Sequence, residues 1–218
     1  MNVKLQSITP DIETNIVEIA RVSSSRKDKS EEPSGLINYL IKNKHWSPFE
    51  HGTITMEIDT SKAIGIQLLR HRSFTFQELS QRYAVVGACE PIEIRAQAAN
   101  NRQSSEEVFD PLVPDTFGLF EGQPVLASEM NNKLLEIISS VYLNQLDAGV
   151  ARECARMVLP MATSTKIYMT GTVRSWIHML QIRDDAHAQK EIQEVAKVMK
   201  SIFIEELPLI SKALGWIN

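Results

Sequence analysis

The chain has 218 residues, a formal net charge of −4 and 43% hydrophobic residues. This composition is typical of a soluble globular protein with one sizeable core, and the acidic balance argues against bulk electrostatic binding of nucleic acid. The N-terminus lacks the apolar core of a signal peptide, and no apolar run approaches the roughly 18 residues of a membrane span. We therefore expect a cytoplasmic protein with one domain over residues 1–218.

The residue pattern in the N-terminal quarter of the chain predicts alternating strands and helices. The pattern indicates a strand at 3–7, a helix opened by Thr9-Pro10 that runs to residues 20–23, a mobile polar loop at 23–32, a helix at 36–44 and a strand at 53–59. In the last of these strands Ile54, Met56 and Ile58 alternate with polar residues, so we expect these three to face inward.

Between the second helix and that strand lies the run His45-Trp46-Ser47-Pro48-Phe49-Glu50-His51. Pro48 favours an extended or turn geometry at the residue before it. The two imidazoles suggest a metal, but no convincing third ligand lies nearby in the sequence. We therefore predict no metal site.

The next stretch, residues 60–83, concentrates polar chemistry. Residues 61–69 predict a short helix, capped by Thr60 or Ser61, that ends before Arg70-His71-Arg72. Because consecutive helical residues lie about 100° apart, these three side chains can face one ligand only where the helix ends. An extended segment carrying Glu78, Ser80 and Arg82 follows. Guanidinium and hydroxyl groups together suit phosphate, whereas the alternative is a solvated basic face.

The remainder of the chain predicts mainly helices. The pattern indicates a strand at 90–95, an irregular excursion at 97–123, helices at 126–146 and 150–159, a short strand or link at 166–171, and helices at 172–183 and 186–207. Gly149 and Pro160 end the two middle helices. Cys89 and Cys154 have no base at a readable spacing, and we expect both to be small core residues.

The helix over 172–183 has two informative faces. Arg183 follows Trp176 and Leu180 on the apolar stripe, where an unpaired guanidinium would be costly, so we expect an anion to meet it. Arg174 and His178 share a different face, one turn apart. If the helix continues, His187 extends the apolar stripe by one turn.

Several blocks of the sequence resemble the flavin-dependent thymidylate synthase family. Arg70-His71-Arg72, seven residues and then Ser80 match the family's signature, and Glu78-x-Ser80-x-Arg82-Tyr83 extends the match. Residues 151–160, where Arg152 and Arg156 lie one turn apart, and residues 172–189 resemble two further family blocks, and Ser47 and Glu50 also match. Without the resemblance, a solvated face is the favoured interpretation of the arginine pair.

The resemblance implies a fold, an assembly and a reaction. The fold is mixed α/β (α+β), a twisted, largely antiparallel sheet packed with helices, and the assembly is a homotetramer with active sites between subunits. The reaction is reductive methylation of dUMP to dTMP: 5,10-methylenetetrahydrofolate supplies the carbon, NADPH reduces FAD, and the reduced flavin supplies the hydride. The partners are small molecules and the chain itself, with no nucleic acid and no membrane. No covalent cysteine step is expected.

The resemblance also assigns roles to individual residues. Those expected to bind dUMP are Gln67, Arg70, Glu78, Leu79, Ser80, Gln81, Arg82, Arg156 and Arg183. Those expected to bind FAD are Ser23, Ser47, Arg70, His71, Arg72, Glu78, Thr172, Arg174 and His178. His45 is expected on the folate side. Arg183 is the expected catalytic residue, because a cation near N3 and O2 of uracil would stabilise negative charge in the ring. Gln77 and Thr172 replace asparagines of many family members.

Two readings from other classes remain open at this point. The basic and aromatic residues of 70–83 could form a nucleic-acid-binding surface with stacking side chains, although the net charge of −4 argues against it. The chain could also be a relative that binds dUMP or flavin without turnover. Formation of dTMP would separate the enzyme from such a relative.

Overall fold

The computed structural model describes residues 1–23, 33–86 and 88–217. Its strands are β1 (Asn2–Ile8), β2 (Thr53–Ser61), β3 (Phe74–Glu78), β4 (Arg95–Gln97), β5 (Ser105–Val108), β6 (Leu112–Val113), β7 (Val125–Leu126) and β8 (Ser164–Thr172). Its helices are α1 (Ile12–Ala20), α2 (Pro33–Lys42), α3 (Lys62–Leu69), α4 (Ala127–Asp147), α5 (Arg152–Ala155), α6 (Val173–Arg183), α7 (Lys190–Glu206) and α8 (Pro208–Ala213). Turns of 3-10 helix span Arg21–Ser23, Ser47–Glu50 and Arg156–Val158. Within the described residues, no helix combines the length and apolarity that a membrane crossing needs.

The main sheet has four strands in the order β1-β2-β8-β3. The two central strands run antiparallel, because Thr55 pairs with Thr170 at 2.9 Å while Tyr168 donates to Glu57 at 2.6 Å. Burial alternates along both strands, as expected for a sheet with one buried face. The predicted mixed α/β class with an antiparallel sheet is confirmed, and the homotetramer stays a prediction.

The chain divides into two compact units. The first unit comprises Met1, Asp59–Leu68 and Glu78–Lys166, and the second comprises Asn2–Ile58, Leu69–Gln77 and Ile167–Asn218. The prediction of one domain over residues 1–218 stays a prediction.

In the second unit, helices α1, α2, α6, α7 and α8 supply the core. Trp176 of α6 is fully buried, and its Nε1 donates to the carbonyl oxygen of Ile54 at 3.1 Å. Glu13 of α1 accepts the backbone N–H of Ile210 at 2.8 Å and so caps the first turn of α8. These contacts join α6 to β2 and α1 to α8.

In the first unit, the 21-residue helix α4 is the longest element. Tyr142 of α4 is buried with Val86 and Ala155, and Leu146 and Leu159 pack against them half-buried. Gly149 adopts φ +86° just beyond the helix, the left-handed conformation expected of a glycine that ends a helix.

Two predictions for the middle of the chain are wrong. The strand predicted at 90–95 begins only at Arg95, because Pro91 has no N–H for a ladder and Ile92 is 44% exposed. The irregular excursion predicted at 97–123 contains β5 and β6, which pair with β4 and β7. These strands are too short for their alternation to be recognised.

The predicted helices of the C-terminal half need three corrections. The helix predicted at 150–159 is α5 followed by the 3-10 turn Arg156–Val158. Helix α6 ends at Arg183, so His187 does not extend its stripe, and α7 starts at Lys190 and gives way to α8 at Pro208, since proline cannot continue a helix.

The predicted burial of Cys154 is also wrong. This thiol is exposed, and the neighbouring Ala155 occupies the buried position of the helix. Cys89 is half-buried. The polar loop predicted at 23–32 lies outside the described residues, except that Ser23 ends a 3-10 turn.

Candidate functional site

Helix α6 begins at a side-chain cap that Glu50 holds. Thr172 Oγ1 accepts the N–H of Ser175 at 3.3 Å and donates to Glu50 Oε2 at 2.8 Å. Arg174 Nη1 donates to the other carboxylate oxygen, Glu50 Oε1, at 2.8 Å. Glu50 ends the 3-10 turn that begins with Ser47-Pro48. One carboxylate therefore fixes the cap and the first arginine of α6.

An open cavity of ≈ 470 Å³ lies beside this cap. Its lining residues are Trp46, Glu50, Ser73, Thr172, Arg174, Ser175, Ile177, His178 and Gln181. Ligand pockets commonly measure about 300–1,000 Å³ and combine apolar walls with a few polar groups. The lining has both kinds of group, and the N-terminus of the 11-residue helix α6 favours an anion. These residues fit a flavin cofactor.

Sequence spacing located part of this cavity. Arg174 and His178 share one face, as predicted, and both line the cavity. Gln181 continues the same face at the i+7 position, a signal that could have found it. Trp46 and Ser73 were missed, because no spacing brings distant segments together.

Arg183, at the end of α6, meets an imidazole. Its Nε donates to His71 Nε2 at 2.9 Å. The anion expected beside this guanidinium stays a prediction. Burial, followed by the positive charge of Arg183 and by His178, lowers the pKa of His71 to about 4. Burial and the charge of Arg70 lower the pKa of Arg183. The cluster therefore combines cationic guanidinium groups with a neutral ring.

Four other predicted residues of the second unit face solvent, namely Arg70, Arg72, Ser47 and His45. Arg70 and Arg72 follow the end of α3, as predicted, and both are exposed. Ser47 is exposed, and His45 packs edge-on against Tyr39 with ring centroids 5.7 Å apart. The side chain of Ser23 lies outside the described residues. Across residues 1–23, 33–86 and 88–217, no three His, Cys, Asp or Glu side chains are grouped to hold a metal ion.

In the first unit, Glu78 is held by two side chains that sequence reasoning missed. Its Oε1 accepts from Lys62 Nζ at 2.8 Å and from Thr165 Oγ1 at 2.9 Å. Lys62 follows Ser61, whose Oγ accepts the N–H of Ile64 at 3.4 Å and caps α3, as one of the two predicted caps. These residues lie on three different elements, which explains why no sequence pattern connects them.

Arg82 and Arg156, both predicted to bind dUMP, also belong to the first unit. Arg82 Nη2 lies 3.1 Å from Glu153 Oε2 of α5, and Arg156 directly follows that helix. Ser80 Oγ accepts the N–H of Arg82 at 3.3 Å. The Nε of Arg156 is buried and has no hydrogen-bond partner among the described residues. A buried charged donor without a partner is costly, so Arg156 suits an anionic ligand.

Three other predicted dUMP residues lie close by in the sequence. Gln67 is half-buried on α3, and Leu79 and Gln81 flank Ser80 in the loop after β3. The N–H of Leu79 donates to the carbonyl oxygen of Lys166 at 2.9 Å, which ties the start of this loop to β8.

The sequence of this chain is similar to a family of known proteins. A family model described as thymidylate synthase complementing protein matches residues 4–209. A probable flavin-dependent thymidylate synthase of Paramecium bursaria Chlorella virus 1 is 40% identical over 226 residues, covering 100% of both chains. The flavin-dependent thymidylate synthase of Synechocystis sp. is 39% identical over 197 residues, covering 90% of this chain and 86% of that one.

A solved structure is similar as well. The UMP/dUMP methylase PolB from Streptomyces cacaoi, bound with 5-Br dUMP, matches with a TM-score of 0.76 and 28% identity, over 99% of this chain and 95% of that one. The resemblance found in the sequence motifs is thereby confirmed over nearly the whole chain. Since the family model and both relatives span most of its length, this chain belongs to the flavin-dependent thymidylate synthase family of enzymes.

Proposed function

We propose that this enzyme methylates dUMP reductively to dTMP, with 5,10-methylenetetrahydrofolate as the one-carbon donor and FAD, reduced by NADPH, as the hydride source. The observation that carries the proposal is helix α6. It presents Arg174 and His178 to the cavity and Arg183 to His71, in a chain that is 40% identical to a probable flavin-dependent thymidylate synthase over its entire length.

The proposed flavin site is the cavity beside Thr172. Thr172, Arg174 and His178 would contact a bound flavin, and Ser47, Ser23 and the Arg70-His71-Arg72 turn would complete its contacts. Thr172 stands where many family members carry Asn, and its hydroxyl keeps a hydrogen-bonding role through Glu50. A bound flavin would supply the hydride, while the protein orients the reactants.

The proposed nucleotide site uses cations for two purposes. Arg82, Arg156 and Ser80, with Gln67, Arg70, Glu78, Leu79 and Gln81, would bind dUMP and its phosphate. Bidentate guanidinium–phosphate pairing suits this role, and the buried Nε of Arg156 supports it. Arg183 would stabilise the negative charge that must develop in the uracil ring before C5 can attack the one-carbon unit. His45 would lie on the folate side.

The proposal includes no covalent cysteine step. A nucleophilic thiol must be largely ionised, but burial raises the pKa of the Cys89 thiol. Cys154 is exposed, so its predicted burial no longer excludes it. Replacement of each cysteine by serine therefore tests the point directly, and we expect dTMP formation to continue in both variants.

The decisive experiment joins spectroscopy with product analysis. The purified protein, loaded with FAD, is reduced with NADPH under anaerobic conditions, with and without dUMP, and methylenetetrahydrofolate is then added. We expect the flavin bands to bleach, and dTMP to form. Arg183→Ala should lower kcat/KM about 100-fold or more, the usual cost of losing one charge-stabilising donor. Lys197→Ala, which removes an exposed cation of α7, is the matched control and should retain activity.

Two results would overturn the proposal. A protein that neither contains nor takes up FAD would exclude the flavin chemistry. A protein that binds both FAD and dUMP but forms no dTMP would be a relative without turnover.

A further inference from the structure

His71 and Arg183 share a hydrogen bond that fixes the protonation state of the imidazole. Arg183 Nε donates to His71 Nε2 at 2.9 Å. Arginine keeps all its protons in proteins, so Nε2 must be the unprotonated acceptor and Nδ1 must carry the proton. The ring is therefore neutral whenever this contact is made.

The groups facing His71 favour the same neutral state. Burial, followed by the charges of Arg183 and His178 on α6, lowers the pKa of His71 from 6.5 to about 4. Arg70, beside it in the chain, acts on Arg183 and adds positive charge to the cluster. Protonation of His71 would replace an accepted hydrogen bond with repulsion between two cations.

The backbone of His71 is anchored to the helix that carries Arg183. Its carbonyl oxygen accepts the N–H of Phe74 at 3.2 Å, which closes the turn between α3 and β3. Phe74 is buried against Trp176 of α6, with ring centroids 4.9 Å apart. It also covers Gly171, where an added Cβ would lie 2.4 Å from the phenyl ring. The acceptor and the donor are thus both fixed on one packed cluster.

We propose that His71 is a positioning residue for Arg183: its neutral ring accepts the Nε–H and sets the plane of the guanidinium that stabilises charge on the pyrimidine. The inference rests on the proposed function, which gives Arg183 its role. The guanidinium holds its five donors in one rigid plane, so fixing Nε–H also directs the others. This role differs from the flavin contact that family resemblance assigns to His71, because it acts through Arg183.

The test compares two variants of the flavin-loaded enzyme. In His71→Gln, the amide oxygen replaces Nε2 as an uncharged acceptor, whereas His71→Leu retains bulk and removes the acceptor. Since a misplacement of about 1 Å can cost about 100-fold in rate, we expect kcat to fall on the order of 10- to 100-fold in His71→Leu. We expect His71→Gln to recover most of this loss. If His71→Leu does not fold, His71→Asn, whose shorter amide cannot reach Nε, takes its place.

Two further measurements separate positioning from general structural support. The affinity for dUMP, measured by calorimetry without turnover, should differ between the Gln and Leu variants, and this difference should vanish when each is combined with Arg183→Ala. In ¹⁵N spectra of the imidazole, wild-type His71 should carry its proton on Nδ1 at neutral pH. In Arg183→Ala its pKa should rise toward 6.5, because a facing cation is gone.

The outcomes distinguish this inference from the proposed function. Equal losses in the Gln and Leu variants, an effect of His71→Leu that persists in Arg183→Ala, or an unchanged pKa in Arg183→Ala would each overturn the positioning role. Any of these could occur while the wild-type enzyme forms dTMP. Failure of the wild type to form dTMP would instead overturn the proposed function, and the dUMP-affinity and ¹⁵N results would still decide whether His71 orients Arg183.

Discussion

Glu50 connects the proposed flavin site to the fold through both of its carboxylate oxygens. Its partners, Arg174 and Thr172, line the same cavity. In Glu50→Gln the side chain keeps only one acceptor oxygen and loses its negative charge, so the side chain of Arg174 should move more freely. Because a hydrogen bond to a charged group contributes about 1.5–3 kcal/mol at most, we expect the Kd for FAD to rise about tenfold. A fluorescence titration with FAD measures this change.

The stability of the Glu50 variant provides the control for this prediction. The Glu50–Arg174 pair is 40% and 52% exposed at its two side chains, so its loss should change the free energy of unfolding by less than about 1 kcal/mol. Glu194→Gln removes an exposed carboxylate of α7 and should leave FAD affinity unchanged. An unchanged Kd in Glu50→Gln would show that Arg174 needs no carboxylate to meet the flavin.

The raised pKa of Glu13 predicts that the stability of the protein depends on pH. Burial raises the pKa of Glu13 above 4.5, although the N–H groups of Ile210 and Leu209 oppose the shift. The folded state therefore binds this proton more tightly than the unfolded state. The contribution of Glu13 to the free energy of unfolding is full below the pKa of the unfolded state. It is lost as pH rises through the higher pKa of the folded state.

Glu13→Gln tests this dependence, because the amide oxygen still accepts the N–H of Ile210 but does not titrate. Urea unfolding over a pH series should show the fall in the wild type and not in the variant. Parallel curves for the two proteins would contradict the assignment. Glu13→Ala, which leaves the first turn of α8 uncapped, should be about 1 kcal/mol less stable than Glu13→Gln at every pH.

Residues whose position depends on local periodicity are predictable from the sequence. The spacing of Arg174 and His178 alone predicts one shared face, and both residues line the cavity. Cys154 was misplaced, because a stripe of small residues does not specify which of two neighbours turns inward. The partners of Glu50 and Arg183 could not be predicted, since each hydrogen bond joins segments more than 100 residues apart.

At the level of elements, the contact between β8 and β3 depends on one glycine. A Cβ added at Gly171 would lie 2.4 Å from the ring of the buried Phe74. Gly171→Ala should therefore lower the free energy of unfolding by about 1–3 kcal/mol, the usual cost of overpacking a core. Thermal unfolding measures the change, and loss of activity should accompany it because Phe74 adjoins His71.

Gly35 in α2 is the matched control. Among the described residues, no atom outside the local backbone of α2 lies within 4 Å of a Cβ added there, and the residue is exposed. Gly35→Ala should stabilise the protein by about 0.5–1 kcal/mol, because alanine has the higher helix propensity. If Gly171→Ala and Gly35→Ala unfolded at the same temperature, the predicted overpacking of Phe74 by a Cβ at position 171 would be wrong.

The elements that sequence predicted best are those with one fully buried face. β2 alternates buried and partly exposed residues along its nine positions, and its period was read correctly. The strand predicted at 90–95 failed because its alternation came from residues that remain largely exposed. Periodicity predicts an element reliably when one of its faces is buried. Elements of two to four residues are too short to show a recognisable period.

At the level of the whole molecule, the proposed assembly is a homotetramer with active sites between subunits. Light scattering of the purified protein should then give a mass four times that of the 24.6 kDa chain. The mass should persist without FAD if contacts between protein surfaces hold the assembly. A monomeric mass together with full activity would contradict active sites shared between subunits.

The family could be predicted from the sequence because four separate blocks of the chain resemble family signatures. Residues 70–83 carry cations, a carboxylate and a hydroxyl at the spacing of one such signature. The cavity beside α6 could not be predicted in full, because it draws on three segments of the chain. Motifs therefore identify a chemistry, whereas the shape of a site emerges only from packing.

The exposure of Cys154 also makes the protein convenient to observe. Its thiol is accessible, whereas Cys89 is half-buried with a raised pKa. A maleimide dye should therefore attach first at Cys154, with no engineered cysteine. Donor- and acceptor-labelled subunits could then report subunit exchange by energy transfer, and slow labelling would itself indicate that a neighbouring subunit covers this surface.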